Sequence, residues 1–150
     1  IKIEYDILDC NNCGLYKYSY EDQKWNYLNT SNNLKTLSTK IASGGTFCVL
    51  SEMEQPIIKN LKPRFNSRYR QKDLKKITFN IKDVLSGINP YSIEIKIDGE
   101  KIFYDYIKYR DLVSADLGAF LSNGNHTLEI TVNDKLDNAI NLKGDFLIIE

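Results

Sequence analysis

The stretch Gly124-Asn125-His126-Thr127-Leu128-Glu129-Ile130-Thr131-Val132-Asn133-Asp134 indicates the fold class of this chain of 150 residues. Leu128, Ile130 and Val132 alternate with polar residues, so their side chains lie on one face of a strand. The glycine before the strand and the pair Asp137-Asn138 after it are typical of turns. The stretch therefore predicts a turn, a half-buried strand and a second turn that leads to a last strand.

Short alternating runs fill the rest of the chain. The 10 Tyr and 6 Phe, with many β-branched residues, favour strands because such side chains pack well on a pleated surface. The segment 109–120 fits either a broken strand or a short helical turn. We predict an all-β protein with strands over 1–5, 14–20, 24–28, 34–41, 45–50, 57–61, 75–82, 92–97, 101–106, 128–132 and 144–149.

Three short polar or glycine-containing gaps predict hairpins. The gap Glu21-Asp22-Gln23 would join 14–20 to 24–28 and present Tyr16, Tyr18 and Trp25. The gap Ser43-Gly44-Gly45 would join 34–41 to 46–50. Asp98-Gly99, a strong hairpin signal, would join 92–97 to 101–106.

The composition changes near residue 55, where Pro56 and Pro63 favour an extended connection. We predict two domains, residues 1–54 and 55–150. About seven strands over roughly 95 residues suit an immunoglobulin-like β-sandwich for the second domain. The first has too few residues for a comfortable core, so we expect the closing strands of a truncated β domain. Because the chain starts inside a strand pattern without Met, we expect a piece of a longer protein.

Charge and hydropathy exclude several classes of function. Lys plus Arg equal Asp plus Glu at 20 each, so the whole chain has no electrostatic preference for nucleic acid. Hydrophobic residues make up 42%, enough to bury a core. No apolar run reaches the roughly 20 residues of a membrane helix, and no basic-then-apolar segment with a small-residue cleavage site opens the sequence.

An ordered series of turn residues is similar to bacterial immunoglobulin-like modules: Asp83, Ser86-Gly87-Ile88, Asp98-Gly99, Gly124, His126-Thr127-Leu128, Asp134 and Asn138. Residues 14–18, 24–28 and 45–47 resemble the closing strands of the β domain that precedes such modules, and 55–63 resembles the joint. The resemblance implies tandem domains in the C-terminal region of an envelope or secreted protein of a Gram-negative bacterium. Some such proteins carry an upstream M23-type peptidase.

His126 is the only histidine, which excludes a metal site built from several histidines. Two interpretations remain for its ring. It can fix the turn at the start of its strand through a hydrogen bond, or it can serve as the base of a hydrolase. We expect the structural role.

The three cysteines are Cys10, Cys13 and Cys48. In an exported protein a disulfide is expected, either between Cys10 and Cys13 or from one of them to Cys48. Redox or zinc chemistry is the alternative for the C-x-x-C pattern, but no βαβ pattern accompanies it.

Asp83, Asp134, Asp137 and Asn138 carry the oxygen ligands that Ca²⁺ uses, and they are the candidate metal residues of the chain. The alternative is that they form turns by binding their own backbone.

Two surfaces are candidates for ligand binding. Residues 59–76 are strongly basic and include Arg64, Arg68 and Arg70, which could bind an anion or form a solvated loop. Tyr16, Tyr18 and Trp25 could stack on a sugar or pair across the hairpin.

From these features we expect a non-enzymatic protein without a cofactor. It would be a structural, adhesive or assembly module of a larger exported or cell-envelope protein, extracellular or periplasmic. Its partner would be another protein or upstream domains of the same protein, with pairing at an exposed strand edge. A carbohydrate-binding module and the accessory C-terminal region of a cell-wall peptidase are the alternatives.

Overall fold

The computed structural model describes residues 2–6, 10, 12–33, 35–118 and 121–150, and it is built almost entirely of strands, which confirms the all-β prediction. Ile1, Leu34 and Phe120, which belong to predicted segments, lie outside the described residues. The strands are β1 Lys2–Asp6, β2 Cys13–Ser19, β3 Lys24–Tyr27, β4 Ser31–Asn32, β5 Thr36–Lys40, β6 Phe47–Ser51, β7 Ile57–Lys62, β8 Arg68–Arg70, β9 Lys76–Lys82, β10 Glu94–Ile97, β11 Glu100–Lys101, β12 Asp105–Ile107, β13 Leu112–Asp116, β14 Gly124–Asn133 and β15 Ala139–Ile149.

The helices of the described residues are two 3-10 turns, Pro90–Ser92 and Lys108–Arg110. Asn89 caps the first, because its side chain accepts a hydrogen bond from the backbone N–H of Tyr91. Neither turn has the length or the apolar composition to cross a membrane.

Strands β1 to β6 form two small sheets, ordered β1-β5-β4 and β3-β2-β6, which we call the N-terminal unit. The predicted hairpin of β2 and β3 is present, with Tyr18 opposite Trp25. The buried cluster of this unit is small and contains Cys13, Leu15 and Leu37. So few buried side chains stabilise an isolated unit only weakly.

The predicted hairpin across Ser43-Gly44-Gly45 is wrong. Strand β5 pairs with β1 and β4, whereas β6 pairs with β2 in the other sheet. The loop carries the chain between sheets instead of reversing it. Gly45, at φ 153°, has a conformation that favours glycine, and a Cβ there would lie 2.7 Å from Lys17 Cε. In the sequence, two alternating runs separated by a glycine-rich gap look the same whether the chain reverses within one sheet or crosses to another sheet.

Strands β7 to β15 form a two-layer sandwich, which we call the C-terminal sandwich. One layer has the order β11-β10-β14-β15-β8 and the other β12-β13-β9-β7. Alternate side chains of both layers meet in one core, to which β9 contributes Ile77, Phe79 and Ile81. Burying each such side chain stabilises the fold by about 1.5–3 kcal/mol.

The stretch that predicted the fold is β14, at the centre of the larger layer. It pairs with β15 over ten positions, from Gly124 opposite Ile148 to Asn133 opposite Ala139. Leu128, Ile130 and Val132 are buried, as their alternation predicts. The last strand begins at Ala139 rather than at 144, because the turn after Asp134 is tight.

The Asp98-Gly99 turn forms the predicted hairpin, with φ of 52° and 84° as a type I′ turn requires. Its second strand is shorter than predicted. In this second strand Glu100–Lys101 pairs with β10, and Ile102 donates one more backbone hydrogen bond to Ile95. The chain then crosses to the other layer, where β12 pairs with β13. The ambiguous segment after Tyr109 contains the end of a 3-10 turn and then β13.

Candidate functional site

Three carboxylates converge where the N-terminal unit meets the C-terminal sandwich. Glu52 directly follows β6, Asp83 directly follows β9 and Asp134 directly follows β14. One oxygen of each lies within 4.8 Å of one oxygen of the others. We call this group the junction cluster. Its members come from three strand ends that are distant in sequence, so only the tertiary fold assembles it.

Asp83 organises the turn that follows β9. Its Oδ2 accepts hydrogen bonds from the backbone N–H of Gly87 at 2.6 Å and of Leu85 at 3.2 Å. Such bonds are the usual reason for an aspartate at the start of a turn. They hold the carboxylate in place at the junction.

Asp134 is fully buried and organises the turn that follows β14. Its Oδ1 accepts the backbone N–H groups of Leu136 at 2.7 Å and Asn138 at 2.9 Å. Its Oδ2 accepts the side-chain amide of Asn138 at 2.7 Å. Three donors therefore stabilise the charge of Asp134.

Glu52 reaches from the N-terminal unit into this group. Its Oε2 accepts the backbone N–H of Ser86 at 3.0 Å, but its Oε1 is buried and has no hydrogen-bond partner among the described residues. The residue is only 4% exposed. Burial raises the pKa of Glu52; the hydrogen bonds with Ser86 oppose this, and the charges of Asp83 and Asp134 add to it.

Tyr16 is the second buried group that lacks a partner. Its side chain is fully buried and, within the part of the chain that is described, its hydroxyl makes no hydrogen bond. Burial and the charge of Glu52 raise its pKa far above the usual range, and Asp83 and Asp134 contribute as well. The Tyr16 ring packs edge to face against the Tyr27 ring, with ring centroids 5.4 Å apart.

Further polar contacts join the two units around the cluster. The side-chain amide of Asn138 donates to the backbone oxygen of Glu52 at 3.1 Å, and the amide of Asn12 donates to Oδ1 of Asn138. Lys135 Nζ lies 5.3 Å from the centre of the Tyr27 ring. These contacts hold the strand ends of the cluster together.

The sequence identified part of this site. The fold brings Asp83 and Asp134 together as candidate ligands. Asp137 is exposed and adopts a positive φ of 66° in the turn. Asn138 is buried and positions Asp134. Glu52 was missed, because in the sequence it is one of several acidic residues in an interdomain connection. Its only signal was its position beside the predicted joint.

His126 fixes the start of β14, as its structural interpretation expects. Its Nδ1 lies 2.7 Å from Oδ2 of Asp98 and its Nε2 lies 2.8 Å from the backbone oxygen of Ser122. Burial alone would lower its pKa, but these two hydrogen bonds and the charge of Asp98 raise it. Both ring nitrogens are engaged, so neither is available as a base.

A disulfide joins Cys10 and Cys13, whose Cα atoms are 5.6 Å apart. Cys48 is a free thiol on β6, half-buried, and burial raises its pKa. A raised pKa makes a thiol less nucleophilic at neutral pH.

The basic candidates Arg64, Arg68 and Arg70 are exposed. The last two belong to β8, which lies at the edge of its layer and pairs in parallel with β15. Between them, Tyr69 packs against the core. Charged side chains on an edge strand hinder pairing with other chains, which is a sufficient structural reason for them.

The aromatic candidates do not form one surface. Tyr16 is fully buried, so the expectation that the hairpin presents it is wrong. The start of β2 is covered on both faces, and both Leu15 and Tyr16 are inside. Tyr18 and Trp25 pack edge to face across the hairpin with ring centres 5.1 Å apart. This is the cross-strand pair that stabilises such hairpins.

Neither a protein-family model nor a curated protein sequence matches the chain. Solved structures do. CopC from Methylosinus trichosporium OB3b has a TM-score of 0.50 at 13% identity, over 62% of this chain and 92% of CopC. PcoC, a methionine-rich copper resistance protein from Escherichia coli, has a TM-score of 0.48 at 11% identity, over 64% of this chain and 100% of PcoC.

The structure is also similar to dimeric latent PorU from Porphyromonas gingivalis, with a TM-score of 0.51 at 12% identity. This match covers 99% of the present chain but only 20% of PorU. At such identities the similarity is one of fold. The chain is an all-β protein with a sandwich like that of CopC, and the whole of it resembles a fifth of the length of PorU.

Proposed function

We propose that this chain is a non-enzymatic structural module of a larger exported or cell-envelope protein. In it, an immunoglobulin-like sandwich over residues 55–150 is held at a set orientation to a smaller β domain over 1–54. The observation that carries the proposal is the polar junction, because residues of both units share buried and partly buried hydrogen bonds there. Glu52 binds Ser86 and Asn138, and Asn12 binds Asn138.

A rigid joint is what a spacer or assembly module requires. Domains joined by a plain tether move independently, and their binding edges have no defined separation. Here the buried amide of Asn138 bonds to Asp134 in its own unit and to Glu52 and Asn12 in the other, and separating the units would break the last two bonds. The similarity to a segment of PorU supports the same interpretation, since that segment is also part of a longer chain.

Copper chemistry is not part of the proposal. The chain has one methionine, one histidine and three cysteines, and two of the cysteines form a disulfide. His126 uses both ring nitrogens, and Met53 is 85% exposed. Copper sites need several nitrogen or sulfur donors at one place.

The experiment is NMR relaxation on the full chain. A rigid joint predicts one rotational correlation time for amides of both units. The variant Asn138→Ala should give two different and shorter rotational correlation times, one for each unit, while both units remain folded. The matched control is Asn141→Ala, which changes an exposed asparagine on β15. Independent tumbling of the two units in the wild-type chain would contradict the proposal.

A further inference from the structure

We propose that the junction cluster is a Ca²⁺ site, formed by the carboxylates of Glu52, Asp83 and Asp134, that clamps the N-terminal unit to the C-terminal sandwich. The proposed structural function does not require this site, and the site does not require that function.

The charge of the junction cluster favours a bound cation. Three carboxylates with oxygens within 4.8 Å of one another repel strongly when ionised, and Glu52 and Asp134 are buried. Lys135 of the neighbouring turn holds its ammonium over the Tyr27 ring and attracts Asp83, but its single charge cannot offset all three carboxylates. A divalent cation between the carboxylates would attract all three and so replace their mutual repulsion with a net attraction.

Hydrogen bonding at the junction is incomplete among the described residues. Oε1 of Glu52 and the hydroxyl of Tyr16 are both buried and, within the described ranges, both lack a partner. Buried polar atoms almost always have partners, so one such atom in the cluster and a second at the junction point to a bound ligand. Tyr16 belongs to β2 and is not a member of the cluster, but its ring contacts that of Tyr27, over which Lys135 of the turn after Asp134 lies, so it is an independent observation at the junction.

The three carboxylates are preorganised for binding. Asp83 and Asp134 are fixed by backbone N–H groups of their own turns, and Glu52 is fixed by Ser86. Carboxylates held in this way lose little conformational freedom when a cation binds. Oδ1 of Asp134 already accepts two hydrogen bonds, but Oδ2 of Asp134 accepts one and Oε1 of Glu52 accepts none, so both keep a lone pair for a cation.

The donor type selects the ion. All three ligands are hard carboxylate oxygens, which Ca²⁺ accepts in an irregular arrangement completed by water or backbone oxygens. Mg²⁺ demands near-ideal octahedral geometry and keeps most of its water, so it fits buried turns of this kind less well. Zn²⁺ sites in proteins are usually built with nitrogen or sulfur ligands, which the cluster does not offer.

The test uses the full chain, freed of metal with a chelator and dialysed. We expect CaCl₂ at about 10 mM to raise the melting temperature by roughly 5 °C, for a Kd on the order of 0.1–1 mM. Terbium luminescence, sensitised by tyrosine and displaced by Ca²⁺, should report binding directly. Equal stabilisation by Mg²⁺, or by NaCl at the same ionic strength, would overturn the proposal.

The deciding variant is Glu52→Gln. It keeps an oxygen to accept from Ser86 and removes one of three like charges, so in chelator it should melt no lower than the wild type. It should not respond to Ca²⁺. The matched control is Glu54→Gln, two residues away and exposed, which should respond as the wild type does. A Ca²⁺ response of Glu52→Gln equal to that of Glu54→Gln would overturn the proposal.

Asp83→Asn provides a second variant if Glu52→Gln does not fold. Its amide oxygen can still accept from Gly87 and Leu85 in the turn, but its charge is lost. We expect the melting temperature of this variant to change with Ca²⁺ by less than a third of the wild-type shift. An unchanged shift would contradict the assignment.

Discussion

Nδ1 of His126, at the start of β14, lies 2.7 Å from Oδ2 of Asp98, in the turn after β10. The contact links two neighbouring strands of the larger layer at the same end. Nε2 of the ring lies 2.8 Å from the backbone oxygen of Ser122. A ring that faces two acceptors is stabilised most when both nitrogens carry a proton.

This geometry predicts a pH dependence of stability. The pKa of His126 is raised in the folded state, so its contribution is complete below the unfolded value of about 6.5 and is lost as the pH rises through the folded value. Asp98 has a lowered pKa, so its own contribution is lost only in acid, below about 3.8. Urea denaturation should therefore give a higher free energy of unfolding at pH of about 5.5 than at about 8.5.

Asp98→Asn should reduce that difference, whereas Asp105→Asn, an exposed acid on β12, should leave it unchanged. If both variants kept the wild-type pH dependence, the pair would not be its origin.

We predict that Gly144 is required because there is no room for a side chain at this position, and not because of its backbone conformation. A Cβ at this position of β15 would overlap the ring of Phe65. Gly144→Ala should therefore lower the free energy of unfolding by about 1–3 kcal/mol. In a Phe65→Ala background the same change should cost much less, which a double-mutant cycle measures. Gly44→Ala, where a Cβ meets nothing within 4 Å, is the control and should be close to neutral.

Asn138→Ala is predicted to destabilise the junction. The change removes a buried amide whose partners are the backbone oxygen of Glu52, Oδ2 of Asp134 and the side chain of Asn12. Leaving such groups unsatisfied costs about 1–3 kcal/mol. Chemical denaturation of Asn138→Ala and of the exposed control Asn141→Ala would measure this. An equal effect of the two changes would mean that the junction contacts add no stability.

The cysteines predict a specific thiol count. With Cys10 and Cys13 joined, alkylation in denaturant should modify one thiol per chain, that of Cys48, and three after reduction. Because the closed loop is so short, loss of the disulfide should cost no more than about 2 kcal/mol. Mass spectrometry of the alkylated chain gives the count, and three modified cysteines without reductant would refute the pairing.

Much of the fold could be predicted from local patterns. The alternation of Leu128, Ile130 and Val132 identified the central strand, and Asp98-Gly99 identified a tight hairpin. Both signals are local, because side-chain alternation and positive φ depend on the residues themselves. The end of that hairpin was not predictable, since leaving β10 for the other layer depends on where β13 lies.

The candidate site could be predicted only in part. Asp83 and Asp134 were found because aspartates that start turns carry a local signal. Glu52 carries none, and its role follows from reaching Ser86 across the junction at 3.0 Å. In the same way, Tyr16 was expected on the surface because alternation places it beside Tyr18, but both faces of its strand are covered at that point.

The sequence by itself determined the strand content, the turns and the alternation of the core, since these depend on backbone preference and on which side chains water excludes. Only the tertiary structure decided which strands pair, that the loop after β5 crosses between sheets, and that three carboxylates meet at the junction. Strand pairing and the convergence of the carboxylates are contacts between residues that are distant in the chain. The free energy that selects these contacts depends on the packing of the complete fold and not on any local segment.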